Sequence, residues 1–365
     1  MIITSCEASF FDLPLLVPLS SGNYNLLSRR GFIISFNDKY HHCGYGEVAP
    51  YPGLHSENLE AVLAQYRELR FELIGHELSA GLSQLDGGFE YWLGQFDLFP
   101  SLRYGIEMAA LNLLACQKGC TLAGLLASSY TKLLPVNGLL WLRPGTDIGS
   151  QLEELSALGF TSVKLKVARQ SLQEDIAALR TARRLLGNTM SLRLDANRSW
   201  DLETAIRFGK AVAALDIEYI EEPLADPAQL PEFHASTTIP VALDESLINQ
   251  SPSSITVPEC VDALVLKPAV LGGFERMKAY ILLARQLGVK AIISSVFDSG
   301  VGLAALANCA ASLTDGQHPA GLDTYRWLRD DVLVARFDGY GATVDVDRVY
   351  SLARYLRPAL LSKVT

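Results

Sequence analysis

The stretch Ser162-Val-Lys-Leu-Lys-Val167 sets two lysines, Lys164 and Lys166, inside an apolar run. A strand alternates its faces with period two, so both ammonium groups point one way and Val163, Leu165 and Val167 the other. Like charges on one face of a buried strand are costly unless anions stand opposite. Later apolar runs each end in one: Asp195 after residues 191–194, Glu221 after 218–220 and Asp244 after 240–243. Lys267 ends a further run, residues 263–266.

Working outward, the same rhythm holds from Leu134 to about residue 324. Apolar runs at 135–141, 162–167, 191–196, 218–220, 240–243, 263–266, 290–294 and 320–322 alternate with amphipathic helical stretches such as 174–186 and 274–288. This pattern predicts an α/β domain over 134–324, a modified (β/α)8-type barrel of the (β/α)7β kind. A doubly wound open sheet is the alternative that pattern alone leaves. Residues 1–133 read differently. Strands at 2–11, 31–36 and 42–48 precede helices that start near Ser56, a plausible cap, and at Pro100. They predict an α+β capping domain, completed by the tail 325–365 with strand-like pieces at 332–337 and 342–346.

In such barrels the chemistry lies at the C-terminal strand ends. The polar residues fall there. Asp195 and Glu221 are 26 residues apart, and Glu221 and Asp244 are 23 apart, about one βα unit each. Consecutive strands are neighbours, so the three carboxylates can converge on one point. With no histidine or cysteine beside them they make a hard oxygen site, suited to Mg²⁺ or to Mn²⁺. Lys166 and Lys267 flank it from opposite sides. A metal-held carboxylate with a lysine alongside is suited to removing an α-proton, and burial and neighbouring cations lower that lysine's pKa. Arg193 and Asn197 share the face of Asp195. With Ser294, Ser295 and Asp323 at the seventh and eighth strand ends, they are the candidate substrate-binding residues.

Composition narrows the partners. In 365 residues, 49% are apolar and 19% charged, which suits a large packed core. A net charge of −9 argues against nucleic acid and anionic membrane surfaces but not against a small carboxylate substrate. The six cysteines form no C-x-x-C pair, the N-terminus lacks a basic region, and no long uninterrupted apolar run occurs. The expectation is a reduced, cytoplasmic protein without signal peptide or membrane span. His41-His42-Cys43 reads as a surface turn. Oligomeric state leaves no mark in the sequence.

The ordered set Lys-x-Lys, Asp-x-Asn, Glu-Glu-Pro, Asp-Glu-Ser and Lys-Pro resembles the enolase superfamily, in its muconate-lactonizing subgroup. The resemblance implies Asp195, Glu221 and Asp244 as metal ligands and Glu222 and Glu245 as side chains supporting them. It implies Lys166 as base, Lys164 as its partner and Lys267 as the lysine opposite. It makes residues 44–53 a typical capping loop and residues 18–24, with Ser20, Ser21 and Gly22, a mobile specificity loop. Within the subgroup, residues 193–200, 293–295 and 321–324 look most like the o-succinylbenzoate synthase family. That likeness implies a syn dehydration of a cyclohexadiene carboxylate in menaquinone or phylloquinone synthesis. N-acylamino acid racemases and dipeptide epimerases use the same lysines and are the alternative. Their eighth strand usually carries a second acid, where Tyr325 stands here. A barrel that binds a metal or anion without turnover is the non-enzymatic alternative.

Overall fold

The computed structural model describes residues 1–21, 24–141, 147–169, 171–337 and 341–364. Three antiparallel strands, β1 (Ser5–Ser21), β2 (Tyr24–Asn37) and β3 (Cys43–Val48), open the chain. The register slips between Pro14 and Leu19, after which β1 and β2 continue as an extended hairpin. Residues 18–21 and Tyr24 are therefore strand rather than the loop that their Ser/Gly/Asn content suggests. Cross-strand pairing outweighs weak local propensity. Gly22 lies outside the described residues. The helix Pro100–Lys118 packs on β3, and the helix Leu59–Leu73 begins at Asn58, whose side chain caps it, rather than at Ser56.

The first barrel run divides into β4 (Leu133–Pro135) and β5 (Gly138–Trp141). Then follow β6 (Ser162–Lys166), β7 (Ser191–Asp195), β8 (Ile217–Glu221), β9 (Val241–Leu243), β10 (Val261–Leu266) and β11 (Lys290–Ile293). Strands β5 to β11 form one parallel sheet in sequence order. Residues Ala320 and Gly321 close it into a ring. The Ala320 carbonyl accepts from Asn137 N at 3.0 Å, while Gly321 N donates to Ile293 O at 2.8 Å. This is the (β/α)7β barrel, its eighth strand reduced to a bridge on each side.

Helices cover the outside because the outward residues demand it. Val163 and Leu165 of β6 are fully buried, and a capping box of Ser171 and Glu174 starts the helix Leu172–Leu186 that follows. Inside the ring, Tyr219, Ala242, Ala263, Val265 and Ile292 form a separate small core.

The tail divides its contacts. Thr343–Asp345 (β12) pairs with β4 under the barrel, whereas Ser362–Lys363 (β13) adds to the capping sheet beside β1 and Leu328 bridges Leu15 of the same strand. Residues 332–337 make no strand, only a bridge from Leu333 to Leu356. No helix of the described residues is long and apolar enough to cross a membrane.

Candidate active site

Register does what sequence spacing could only suggest. Lys166 pairs with Asp195, Asp195 with Glu221 and Glu221 with Ala242, so one row of the barrel carries the charges across three strands. Asp244 lies two residues beyond that row, just after β9. The charges meet. Lys164 Nζ lies 2.8 Å from Asp195 Oδ2 and 2.6 Å from Glu221 Oε2. Lys166 Nζ donates to the same Asp195 oxygen at 2.6 Å and to Asn197 Oδ1 at 3.0 Å. Lys267 Nζ donates to Asp244 Oδ2. Since β6 and β10 are four places apart in a ring of eight, Lys166 and Lys267 face each other across it.

The two lysines differ electrostatically. Burial lowers the Lys166 pKa, Asp195 opposes that, and the charges of Lys164 and Lys267 push it down again. For Lys267 burial acts the same way, but Asp244 and Glu221 outweigh it and the ammonium is held protonated. Asp195, although buried, is kept well below the usual carboxylate range by Lys164 and Lys166.

Supporting groups fix this arrangement. Glu222 takes φ +43°, which turns its carboxylate away from the row. There it accepts from Asp244 N at 2.9 Å, Ser246 N at 2.6 Å and Arg198 Nε at 3.0 Å. It thereby shapes the turn that aims Asp244. Glu245 Oε1 accepts from Asn197 Nδ2 at 3.0 Å, while its buried Oε2 has no hydrogen-bond partner among the described residues.

A cavity of about 330 Å³ opens over the charges. Lys164, Lys166, Lys267, Asn197 and Glu245 line it, and so do Ser294, Ser295 and Asp323 from the last strand ends. Asp323 Oδ2 accepts from Leu139 N at 2.7 Å and Arg326 Nε at 2.8 Å. Burial raises its pKa to about 7 against the opposing Arg326. Arg193 does not reach the cavity wall. One residue pair deeper, level with Lys164, it is 1% exposed and donates to Glu218, Asn137 and the Pro319 carbonyl. It stands over the Tyr219 ring at 5.3 Å. Period two placed it on the right face, but its guanidinium is drawn to Glu218 and the Pro319 carbonyl, whereas Lys164 on the same pair reaches Asp195 and Glu221. Ser20 and Ser21 end β1, with no side-chain position described.

Among the described residues, no three acidic, histidine or cysteine groups lie arranged to hold an ion as they stand, because lysine ammonium groups sit between the carboxylates. The donor set still fits a hard divalent cation. Three buried carboxylates come from adjacent strands, two of them already share one positive charge, and no histidine or cysteine lines the cavity.

Residues 147–348 match the family model described as enolase C-terminal domain-like. The chain belongs to the enolase superfamily. Within this superfamily it is 34% identical over 352 residues to protein PHYLLO, chloroplastic, of Arabidopsis thaliana, covering 87% of this chain and 20% of that protein. It thus spans only a fifth of that relative's length. It is 32% identical over 320 residues to the o-succinylbenzoate synthase of Aliivibrio fischeri, covering 84% and 87%. Among solved structures, the dipeptide epimerase of Enterococcus faecalis, complexed with Mg and L-Leu-L-Tyr, has a TM-score of 0.85 at 20% identity, covering 99% and 100%.

Part of this enolase-superfamily site had little sequence signal. Asn137 just before β5, Leu139 on it, and Thr324 beside Asp323 enter the lining as ordinary residues. Tyr51 and Leu54 come from the cap. The turn residues Pro52 and Gly53 mark that loop, but nothing in them says which part of the barrel it covers.

Proposed function

We propose that this chain is an o-succinylbenzoate synthase, dehydrating 2-succinyl-6-hydroxy-2,4-cyclohexadiene-1-carboxylate to 2-succinylbenzoate. The observation that carries the reading is 32% identity to a synthase of that name over nearly the length of both chains. The epimerase likeness, at 20% identity, is one of fold. Asp323 adds to the preference: its Oδ2 is engaged by Leu139 N and Arg326, and Tyr325 stands where a second acid would hold a substrate ammonium group.

Lys166 is the base. Its lowered pKa favours a neutral amine that takes the α-proton of the ring carboxylate. The resulting ammonium returns that proton to the hydroxyl group leaving from the same ring face. One C–H and one C–O bond break, a ring double bond forms, and water departs. Lys267 stays charged on the opposite side and stabilises negative charge that develops in the ring. Asn197 holds Lys166 toward the cavity. Asp195, Glu221 and Asp244 would hold a divalent cation, Mg²⁺ or Mn²⁺, which when bound makes the α-proton of a substrate carboxylate more acidic. Residues 1–133 with the tail serve as cap, and 134–324 as the catalytic barrel.

The test is direct. Purified protein with Mg²⁺ should bleach the diene absorbance of the cyclohexadiene acid, and chelation should stop it until Mg²⁺ or Mn²⁺ is restored. Persistent absorbance, together with deuterium wash-in at the α-carbon of N-succinyl amino acids, would transfer the chain to the racemases.

A further inference from the structure

Two walls of the cavity come from distant parts of the chain. Tyr51 and Leu54 belong to the loop after β3, Val296 and Phe297 to the loop after β11. The rings of Tyr51 and Phe297 stack, with centroids 5.9 Å apart and planes at 20°. Phe297 has φ +62°, a conformation a bulky residue keeps only when its surroundings over-determine it.

Arg29 of β2 supplies that constraint. Its side chain is 2% exposed. Nε donates to the Phe297 carbonyl at 3.2 Å, Nη2 to the Ala49 carbonyl at 2.7 Å and Nη1 to the Pro50 carbonyl at 3.4 Å. The guanidinium carbon also lies 5.0 Å from the centre of the Tyr51 ring. One buried cation therefore grips the backbone of both walls and the face of one ring. Burying a charge costs several kcal/mol unless its donors are met, as carbonyls meet them here. The planar fork fixes these acceptors in one plane, which a lysine cannot do. Glu47 of β3 secures the next residues, accepting from Ser299 N at 2.9 Å and Gly302 N at 2.9 Å. Arg29 itself does not line the cavity.

We infer that Arg29 is a positioning residue that sets the Tyr51–Phe297 pair as the aromatic wall on which a flat six-membered ring of a carboxylate substrate packs. The ring substrate rests on the dehydration proposed above; the placement of the wall does not.

Arg29→Lys and Arg29→Met test it by two readouts. By hydrogen exchange of the substrate-free protein, amides of residues 49–54 and 295–298 should lose about tenfold protection while β6 to β8 keep theirs. In steady state, KM for the cyclohexadiene acid should rise about tenfold or more with kcat within about threefold, the mark of lost uniform binding. Wild-type protection and wild-type KM in both variants overturn the inference. So does failure of both variants to fold, which makes Arg29 a requirement of the fold and not of the wall. If the wild-type protein leaves the diene unchanged, the synthase reading fails, and exchange alone decides the role of Arg29.

Discussion

Lys166 and Lys267 are the same residue type at the ends of opposite strands, yet their surroundings separate them. Burial lowers the Lys166 pKa against the pull of Asp195, and two neighbouring cations add to the fall, whereas Lys267 is held charged by Asp244 against its own burial. Lys166→Ala should therefore lower kcat by ~10³-fold, within the usual range for a lost general base. Mn²⁺ affinity, followed by electron paramagnetic resonance, should stay nearly unchanged, since Asp195 keeps its place through Lys164. Turnover near wild type would remove Lys166 from its role. Glu222 acts differently, by orienting Asp244 through the main chain. Glu222→Gln should weaken Mn²⁺ binding ~10–100-fold, as loss of a support behind a ligand does, and calorimetric affinity equal to wild type would refute it. Both glutamates of the 221–222 pair were visible in the sequence. The family resemblance implied which one serves as ligand and which as support; in the structure Glu221 meets Lys164 and Glu222 turns away.

At the scale of the strand, β7 and β8 carry a second charged layer below the first. Arg193, Lys290 and Ser191 all contact Glu218. Burial alone would raise the Glu218 pKa, but Arg193 above all, with Ser191 and Lys290, holds it down to about 2. A carboxyl depressed in the folded state stabilises the protein above its unfolded pKa and loses that contribution as pH falls through the folded one. The window here runs from about 4.5 down to about 2, and the shift corresponds to ~3 kcal/mol as an upper figure. Glu218→Gln should thus lower stability near neutrality and flatten the acid limb between these values, measured by urea midpoints against pH. Parallel acid limbs for variant and wild type would contradict this. Arg193 shows why such a layer was illegible beforehand. Period two gives the face a residue takes, not the depth at which its side chain finds partners.

At the scale of the whole molecule, the cap's sheet and its long helix act as one body because backbone meets backbone. A Cβ at Gly46 would fall 1.9 Å from the Gly105 carbonyl oxygen, and one at Gly44 would fall 2.2 Å from that of Ala109. Strand β3 and the helix Pro100–Lys118 thus touch without side chains between them. Gly46→Ala must push the helix away, and the expected loss is ~3 kcal/mol or more, read as a lower urea midpoint. A change within ~0.5 kcal/mol, the range of a surface substitution, would show that the helix can shift freely. The Gly44-Tyr-Gly46 stretch was plain in the sequence as a motif of the resemblance, but the helix it receives was not.

The sequence by itself determined the α/β rhythm and the identity of the charged cluster, while the closing bonds at Ala320 and Gly321 decided barrel over open sheet. Strand periodicity and one-unit spacing are local properties, and buried like charges are too costly to occur by accident. Only the tertiary structure decided what closes the site. Register aligned Lys166, Asp195 and Glu221 in a row, barrel depth withdrew Arg193 from the cavity, and long-range contacts brought Tyr51 and Phe297 together over it. Those outcomes depend on packing between residues hundreds of positions apart, such as Arg29 and Phe297, and no local pattern in the chain encodes them.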